Sequence, residues 1–155
     1  MMIKDRRLSA ALIAIAGCGV LMVSGCKQVL PFFVQQPPKF DQITANNLIA
    51  ARQDADVLFA ALSGGAGCSY GANTAQFDLV DKDLSALVVE AASLPNNSFT
   101  TNGATVLQKG FDRFRAAARS KNPACLPPGL AQDKKTSFDG AATNLLTYEN
   151  AKPKG

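Results

Sequence analysis

The sequence contains no histidine and no tryptophan, and only two of its residues are tyrosine. Without histidine the chain lacks the commonest general acid or base of enzymes and the imidazole ligand that zinc and copper sites favour. Its four cysteines form no C-x-x-C pair, and no glycine-rich segment continues into a Gly-Lys-Ser/Thr phosphate-binding motif. We therefore expect neither enzyme activity nor a metal or other cofactor.

The first 25 residues have the composition of an export signal. Lys4, Arg6 and Arg7 form a basic start, and residues 8–23 follow without a charge, which matches the n-region and h-region of a secretory signal. This apolar run is shorter than the roughly 20 residues that a membrane-spanning helix needs. We predict a cleaved signal peptide over residues 1–25, with an uncleaved anchor or an ordinary secretory signal as the alternatives.

The apolar run ends in the tetrapeptide Val23-Ser24-Gly25-Cys26. It resembles the lipobox of bacterial lipoproteins, in which an aliphatic residue and two small residues precede a cysteine that receives a diacylglyceryl group. The resemblance implies cleavage between Gly25 and Cys26 and attachment of more than one acyl chain, palmitate among them, to Cys26. Several chains together give stable membrane anchoring.

Two further details concern the lipidation site and its membrane. A second tetrapeptide, Ile15-Ala16-Gly17-Cys18, also fits a lipobox, but its use would leave an h-region of only about eight residues, so Cys26 is favoured. Lys27 follows Cys26, whereas an aspartate there would resemble the signal that retains lipoproteins of enteric-type bacteria in the inner membrane. We therefore expect the outer membrane, with the protein facing the periplasm.

Cys68 and Cys125 remain once the signal and the lipidated residue are set aside. A cysteine pair in an exported domain is typical of a disulfide. The bond would close a loop of about 57 residues, for which the chain-entropy estimate gives a stabilisation of roughly 4 kcal/mol. The alternative, in which both cysteines bind a metal, is disfavoured because the chain has no histidine to complete the site.

Residues 26–40 are predicted to be the lipidated N-terminus and a tether. Pro31, Pro37 and Pro38 favour extended chain, which could hold a domain up to roughly 40 Å from the membrane. Phe32 and Phe33 lie in an apolar cluster within this tether. These two side chains pack back on the domain, lie among lipid headgroups or contact a partner, three alternatives that stay open.

Residues 41–155 form the expected folded domain, whose apolar residues have helical spacing and none of the alternation typical of a strand. Four helices are predicted, over about residues 41–62, 74–94, 101–121 and 128–150, with Asp41 capping the first and Thr74 the second. The clearest apolar seam belongs to the second helix, where residues recur every three or four positions. It comprises Phe77, Val80, Leu84, Leu87, Ala91 and Leu94.

Four helices with short connections predict an all-α, up-and-down four-helix bundle. In that topology the first and third connections, which hold Cys68 and Cys125, lie at the same end of the bundle, so the predicted disulfide agrees with the helix order. Pilotins of type II secretion, small lipoproteins that escort secretin subunits to the outer membrane, are likewise four-helix domains with a disulfide. The sequence resembles them in this architecture alone, and no binding residue is carried over.

The charges of the domain are divided between its two halves. Residues 41–98 carry seven acids and two bases, whereas residues 99–155 carry nine bases and four acids. Either the two helix pairs attract each other within the bundle, or the basic third helix faces an anionic surface or an acidic partner. Candidate partner contacts are Phe32, Phe33, Arg113, Arg115 and Arg119.

Three aspartates near the start of the second helix resemble a cation site only in composition. Asp78, Asp81 and Asp83 suit the positive end of the helix dipole, and they lack the spacing of an EF-hand loop. We expect a solvated helix start there.

These features favour a non-enzymatic adaptor or assembly lipoprotein that contacts the membrane through its lipid and a protein partner in the envelope. The alternative is an inhibitor or immunity-type lipoprotein that blocks a periplasmic toxin or hydrolase. Nucleic acid is not an expected partner in the periplasm.

The lipidation site can be tested by labelling cells with a radioactive or clickable fatty acid. Cys26→Ala is expected to abolish both lipid labelling and membrane retention, because the acceptor thiol is lost, while Cys18→Ala is expected to retain both. Labelling that persists in Cys26→Ala would move the site to Cys18.

Overall fold

The computed structural model describes residues 37–65 and 67–154. This part of the chain forms four α-helices and contains no strand, only an isolated bridge between Ser69 and Cys125. The predicted signal peptide, Cys18, Cys26, Phe32 and Phe33 lie outside the described residues. The helices are α1 (Gln42–Ser63), α2 (Thr74–Ser93), α3 (Ser98–Lys121) and α4 (Pro128–Ala151), with a short 3-10 helix, Gly71–Asn73, before α2.

Each helix packs against its neighbours in chain order, and α4 closes the bundle against α1. The contacts run α1–α2, α2–α3, α3–α4 and α1–α4, which is the arrangement of an up-and-down four-helix bundle. The predicted fold class is therefore confirmed.

Helix starts differ in how well the sequence predicted them. Asp41 caps α1 as expected, since its Oδ2 accepts a hydrogen bond from the backbone N–H of Thr44 at 2.6 Å. Thr74 is the first residue of α2 and not its cap, because the 3-10 helix runs directly into α2 and the Thr74 hydroxyl donates back to the Tyr70 carbonyl at 3.2 Å. The third helix begins three residues before the predicted Thr101, where Asn97 accepts the first backbone bond.

Five phenylalanine rings form the centre of the core. The Phe59 ring lies 5.2 Å from that of Phe114 and 6.2 Å from that of Phe138, and the Phe77 ring lies within 6 Å of both Phe111 and Phe114. These tilted contacts between rings on all four helices add to the apolar area that each ring removes from water. The cluster therefore joins both helix pairs at one place.

The predicted seam of α2 is buried along almost its whole length. Phe77, Val80, Leu84, Leu87 and Ala91 are fully buried. Only Leu94, the last position of the seam, is not fully buried. The α2 helix ends at Ser93, and Leu94 is its C-cap with extended backbone.

Cys68 and Cys125 form a disulfide with their Cα atoms 5.1 Å apart. They lie in the first and third connections, as predicted, and join them at what we call the disulfide end. The same two connections are also linked by Asn122, whose Oδ1 accepts a hydrogen bond from the Gly71 N–H at 3.0 Å. The disulfide end is thus held by one covalent bond and by polar contacts.

The opposite end, where the described chain begins, contains a buried polar cluster that the sequence did not predict. Lys152 Nζ donates to Thr100 Oγ1 at 3.0 Å and also to Asn97 Oδ1 and Glu149 Oε1. All four side chains are buried, with Glu149 fully so.

The Phe40 N–H donates to the Pro153 carbonyl at 3.1 Å at this same end of the bundle. We call this the entry end, and there the two ends of the domain are hydrogen-bonded to each other.

Removal of Lys152 tests the energetic role of this cluster. Lys152→Met is expected to lower the free energy of unfolding by about 3–5 kcal/mol, because it leaves the Glu149 carboxylate buried without a cation. The double variant Lys152→Met with Glu149→Leu should recover most of that loss, since an apolar pair of similar volume needs no desolvation.

The measurement is urea unfolding followed by circular dichroism. Lys154→Met serves as the matched control, because Lys154 lies two residues away and is exposed. Equal destabilisation by Lys152→Met and Lys154→Met would show that the buried pair contributes nothing.

Candidate docking groove

An apolar groove runs between α3 and α4. It consists of two adjoining cavities, of about 200 and 310 Å³, that share Val106 and Ala141 as lining residues. Phe99 and Leu145 line the part near the entry end, and Phe111, Phe114 and Phe138 line the part nearer the disulfide end. The lining residues on α3 extend from Phe99 to Phe114, and at about 1.5 Å of helical rise per residue this α3–α4 groove is about 22 Å long.

Two glycines of α3, Gly103 and Gly110, border the groove. At Gly110 a Cβ would meet no side chain beyond its chain neighbours and no backbone of another helix within 4 Å, so this part of α3 borders free space. At Gly103 a Cβ would lie 2.8 Å from Leu145 Cδ1, so the two helices approach closely there. Val106, between these glycines, is 67% exposed although its side chain is apolar. The groove is therefore closed in at one end and open in its middle.

Basic side chains border the half of the groove nearer the disulfide end. Lys134 of α4 lines the cavity directly. On α3, Lys109 follows Val106 by three residues and Arg113 follows Gly110 by three, so both lie along the groove edge. All three are exposed, and within residues 37–65 and 67–154 no carboxylate forms a salt bridge with any of them.

Arg115, although predicted as a partner contact, is engaged inside the bundle. It forms salt bridges with Asp81, at 3.0 Å, and with Asp78, which connect α3 to α2. Arg113 and Arg119, the other two predicted contacts on α3, are exposed and form no salt bridge within the described residues. The predicted arginine set therefore contains one half-buried residue paired with α2 and two exposed residues.

The other helix pair is joined in the same way. Lys135 of α4 forms salt bridges with Asp56 of α1 and, at 2.7 Å, with Asp139. Hydrogen bonds to Asp139 and Asp56 raise the pKa of Lys135 above its ordinary value. The acidic and basic halves of the domain thus attract each other within the bundle, as the first interpretation of the charge pattern proposed. Each exposed pair contributes little to stability. Together, however, these pairs neutralise several carboxylates of α1 and α2 within the bundle.

The three aspartates of α2 separate into two environments. Asp78 and Asp81 face Arg115, whereas Asp83 faces Asp54 on α1. Burial raises the pKa of Asp83, and the hydrogen bond and negative charge of Asp54 raise it further. In the part of the chain that the structure describes, no three His, Cys, Asp or Glu side chains are grouped closely enough to hold a metal ion.

Comparisons with known proteins give no match: no family model, no curated protein and no solved structure is similar to this chain. None of the helices in the described residues has the length and apolar character needed to cross a membrane. The groove and its charged edge are therefore the features from which a function can be argued.

The Asp54–Asp83 pair predicts a pH dependence of stability. Because the folded-state pKa of Asp83 is raised, the folded protein holds this proton more tightly than the unfolded chain does. The free energy of unfolding should therefore fall as the pH rises from the ordinary value of 3.8 through the raised pKa.

Asp83→Asn removes the ionisation, so it is expected to raise the free energy of unfolding at pH 7 and to make this pH dependence shallower. Urea unfolding at a series of pH values measures both effects. Asp133→Asn, at an exposed position of α4, is the control. A lower stability of Asp83→Asn at pH 7 would contradict the argument.

Proposed function

We propose that this protein is a lipid-anchored adaptor of the outer membrane, facing the periplasm, that holds a helical segment of an envelope protein in its α3–α4 groove. The observation that carries the proposal is the groove itself. It is a long apolar surface between two helices, and Val106 at its centre is 67% exposed. Exposed apolar surface of this kind marks an interaction site in a folded domain.

The shape of the groove favours a helix as its occupant. A groove between two parallel or antiparallel helices accepts a third helix, whose apolar residues at positions i, i+3 or i+4 and i+7 insert along its length. The groove length of about 22 Å corresponds to about 15 helical residues, or four turns. Its floor consists of Phe111, Phe114 and Phe138, which belong to the buried core.

The N-terminal sequence supports the location of this adaptor. A lipidated Cys26 followed by a tether would keep the domain beside the membrane, where a partner segment meets it at high local concentration. A four-helix domain with a disulfide between comparable connections is the feature in which the chain resembles pilotins. An adaptor that escorts a membrane component fits both properties, and it needs no catalytic group.

Site-specific crosslinking in native membranes tests the adaptor function. A photoreactive residue in place of Val106 lies in the groove, and the same residue in place of Val57, which is 58% exposed on α1, is the matched control. We expect the groove position alone to give a specific crosslinked partner.

A second pair of variants tests whether that partner occupies the groove. Gly110→Leu should block it by filling the free space beside Phe111 and Phe114, whereas Gly140→Leu, at an equally open position outside the groove, should not. Both changes favour the helix by up to about 1 kcal/mol, so loss of crosslinking in Gly110→Leu alone cannot come from unfolding.

Crosslinks that survive Gly110→Leu, or that form equally from position 57, would contradict docking in the groove. A crosslinked toxin or hydrolase that the protein inhibits would replace the adaptor function with the inhibitor alternative.

A further inference from the structure

The charges around the α3–α4 groove are unevenly distributed along its length. Near the entry end the groove is lined by Phe99, Gly103 and Leu145, without a charged residue among its lining side chains. Near the disulfide end it is lined by Lys134 and bordered by Lys109 and Arg113. The groove thus has one apolar half and one basic half.

The basic half keeps its charge because the acids of the bundle are engaged elsewhere. Asp78 and Asp81 pair with Arg115, and Asp56 and Asp139 pair with Lys135. These four carboxylates therefore neutralise other cations and not those of the groove.

Two exposed acids do lie on the same two helices, Asp112 on α3 and Asp133 on α4. The three cations beside this half, Lys109, Arg113 and Lys134, outnumber these two acids. The surface beside Gly110 is consequently positive, and it is available to an anionic partner.

A second copy of this chain is poorly suited to fill the groove. Three of the acids that a second copy would offer from α1 and α2, Asp56, Asp78 and Asp81, already form salt bridges within their own bundle. Using them for association would break pairs that join the helices.

We infer that the segment held in the groove is an amphipathic helix with acidic residues concentrated at one end, and that this acidic end lies against Lys109, Arg113 and Lys134. The inference rests on the proposed adaptor function and specifies the chemistry of its partner. The apolar end of the segment packs at Phe99 and Leu145, so the charge gradient of the groove fixes the position of the bound helix. Charge matching of this kind contributes mainly to association rate and specificity, whereas the exposed apolar side chains of the groove, Val106 and Phe99, supply contact area.

Synthetic peptides test this inference with the purified mature lipoprotein in detergent micelles. Three 15-residue helical peptides share one apolar stripe and differ in their polar positions: glutamates at one end, lysines at the same end, or the glutamate peptide with its sequence scrambled to destroy the stripe. Binding is measured by fluorescence anisotropy at several salt concentrations. We expect the glutamate peptide to bind at least about tenfold more tightly than the other two, and its affinity to fall with salt.

Charge-reversal variants locate the contact. Arg113→Glu is expected to weaken the glutamate peptide on the order of tenfold and to strengthen the lysine peptide. Lys82→Glu, at an exposed lysine of α2, should change neither preference. A photoreactive group at the acidic end of the peptide should crosslink near Arg113 and Lys134, and one at the apolar end near Phe99 and Leu145.

The outcomes separate this inference from the adaptor function. Equal binding of the glutamate and lysine peptides, reversed crosslinking positions, or binding that Gly110→Leu does not weaken would overturn the inference, even if position 106 crosslinks a partner in membranes. Selective binding of the glutamate peptide together with no partner in membranes would uphold the groove chemistry and remove the adaptor function.

Discussion

The packing of five phenylalanine rings is the constraint on which the rest of this structure depends. Phe59, Phe77, Phe111, Phe114 and Phe138 come from all four helices and contact one another in one place. The same rings on α3 and α4 also form the floor of the groove. Because core packing is dense and resists local change, the rings that hold the bundle together also fix the position of the groove above them.

The parts of the fold that the sequence predicted are those that follow from local periodicity. The seam of α2 repeats with helical spacing from Phe77 to Ala91, and each of those side chains is buried. The pairing of Cys68 with Cys125 followed from export and from helix order together. Thr74 was assigned wrongly as a cap because the sequence pattern did not reveal the 3-10 helix that precedes α2.

The parts that the sequence could not predict depend on contacts between distant residues. Glu149 and Lys152 look like ordinary charged residues at the end of a helix, yet both are buried, since Asn97 and Thr100 of another helix supply their partners. The groove depends on Gly110. From the sequence, a glycine within a helix indicates only a weaker helix propensity, and it does not show whether another helix fills the space where a side chain would lie. Arg113 and Arg115 differ only by the face of α3 on which they lie, and that difference decides which one pairs internally.

Electrostatics and shape have separate roles in this bundle. Salt bridges between the acidic and basic halves lie across the α2–α3 and α1–α4 contacts, whereas no salt bridge in the described residues connects α3 to α4. Of the two helix contacts without a salt bridge in the described residues, α1–α2 and α3–α4, the second holds the groove. The division of charge that is visible in the sequence therefore stabilises two helix contacts and leaves positive side chains beside a third.

The hydrogen bond between Phe40 and Pro153 gives the domain the topology of a ring. Its two ends meet at the entry end, and the disulfide crosses the ring at the opposite end, between the first and third connections. The disulfide therefore divides the closed path into two loops, one containing α2 and α3 and the other containing α1 and α4. A circularly permuted chain, joined from residue 154 to residue 40 by a short linker and opened at the connection between α2 and α3, would retain every helix contact and the complete groove.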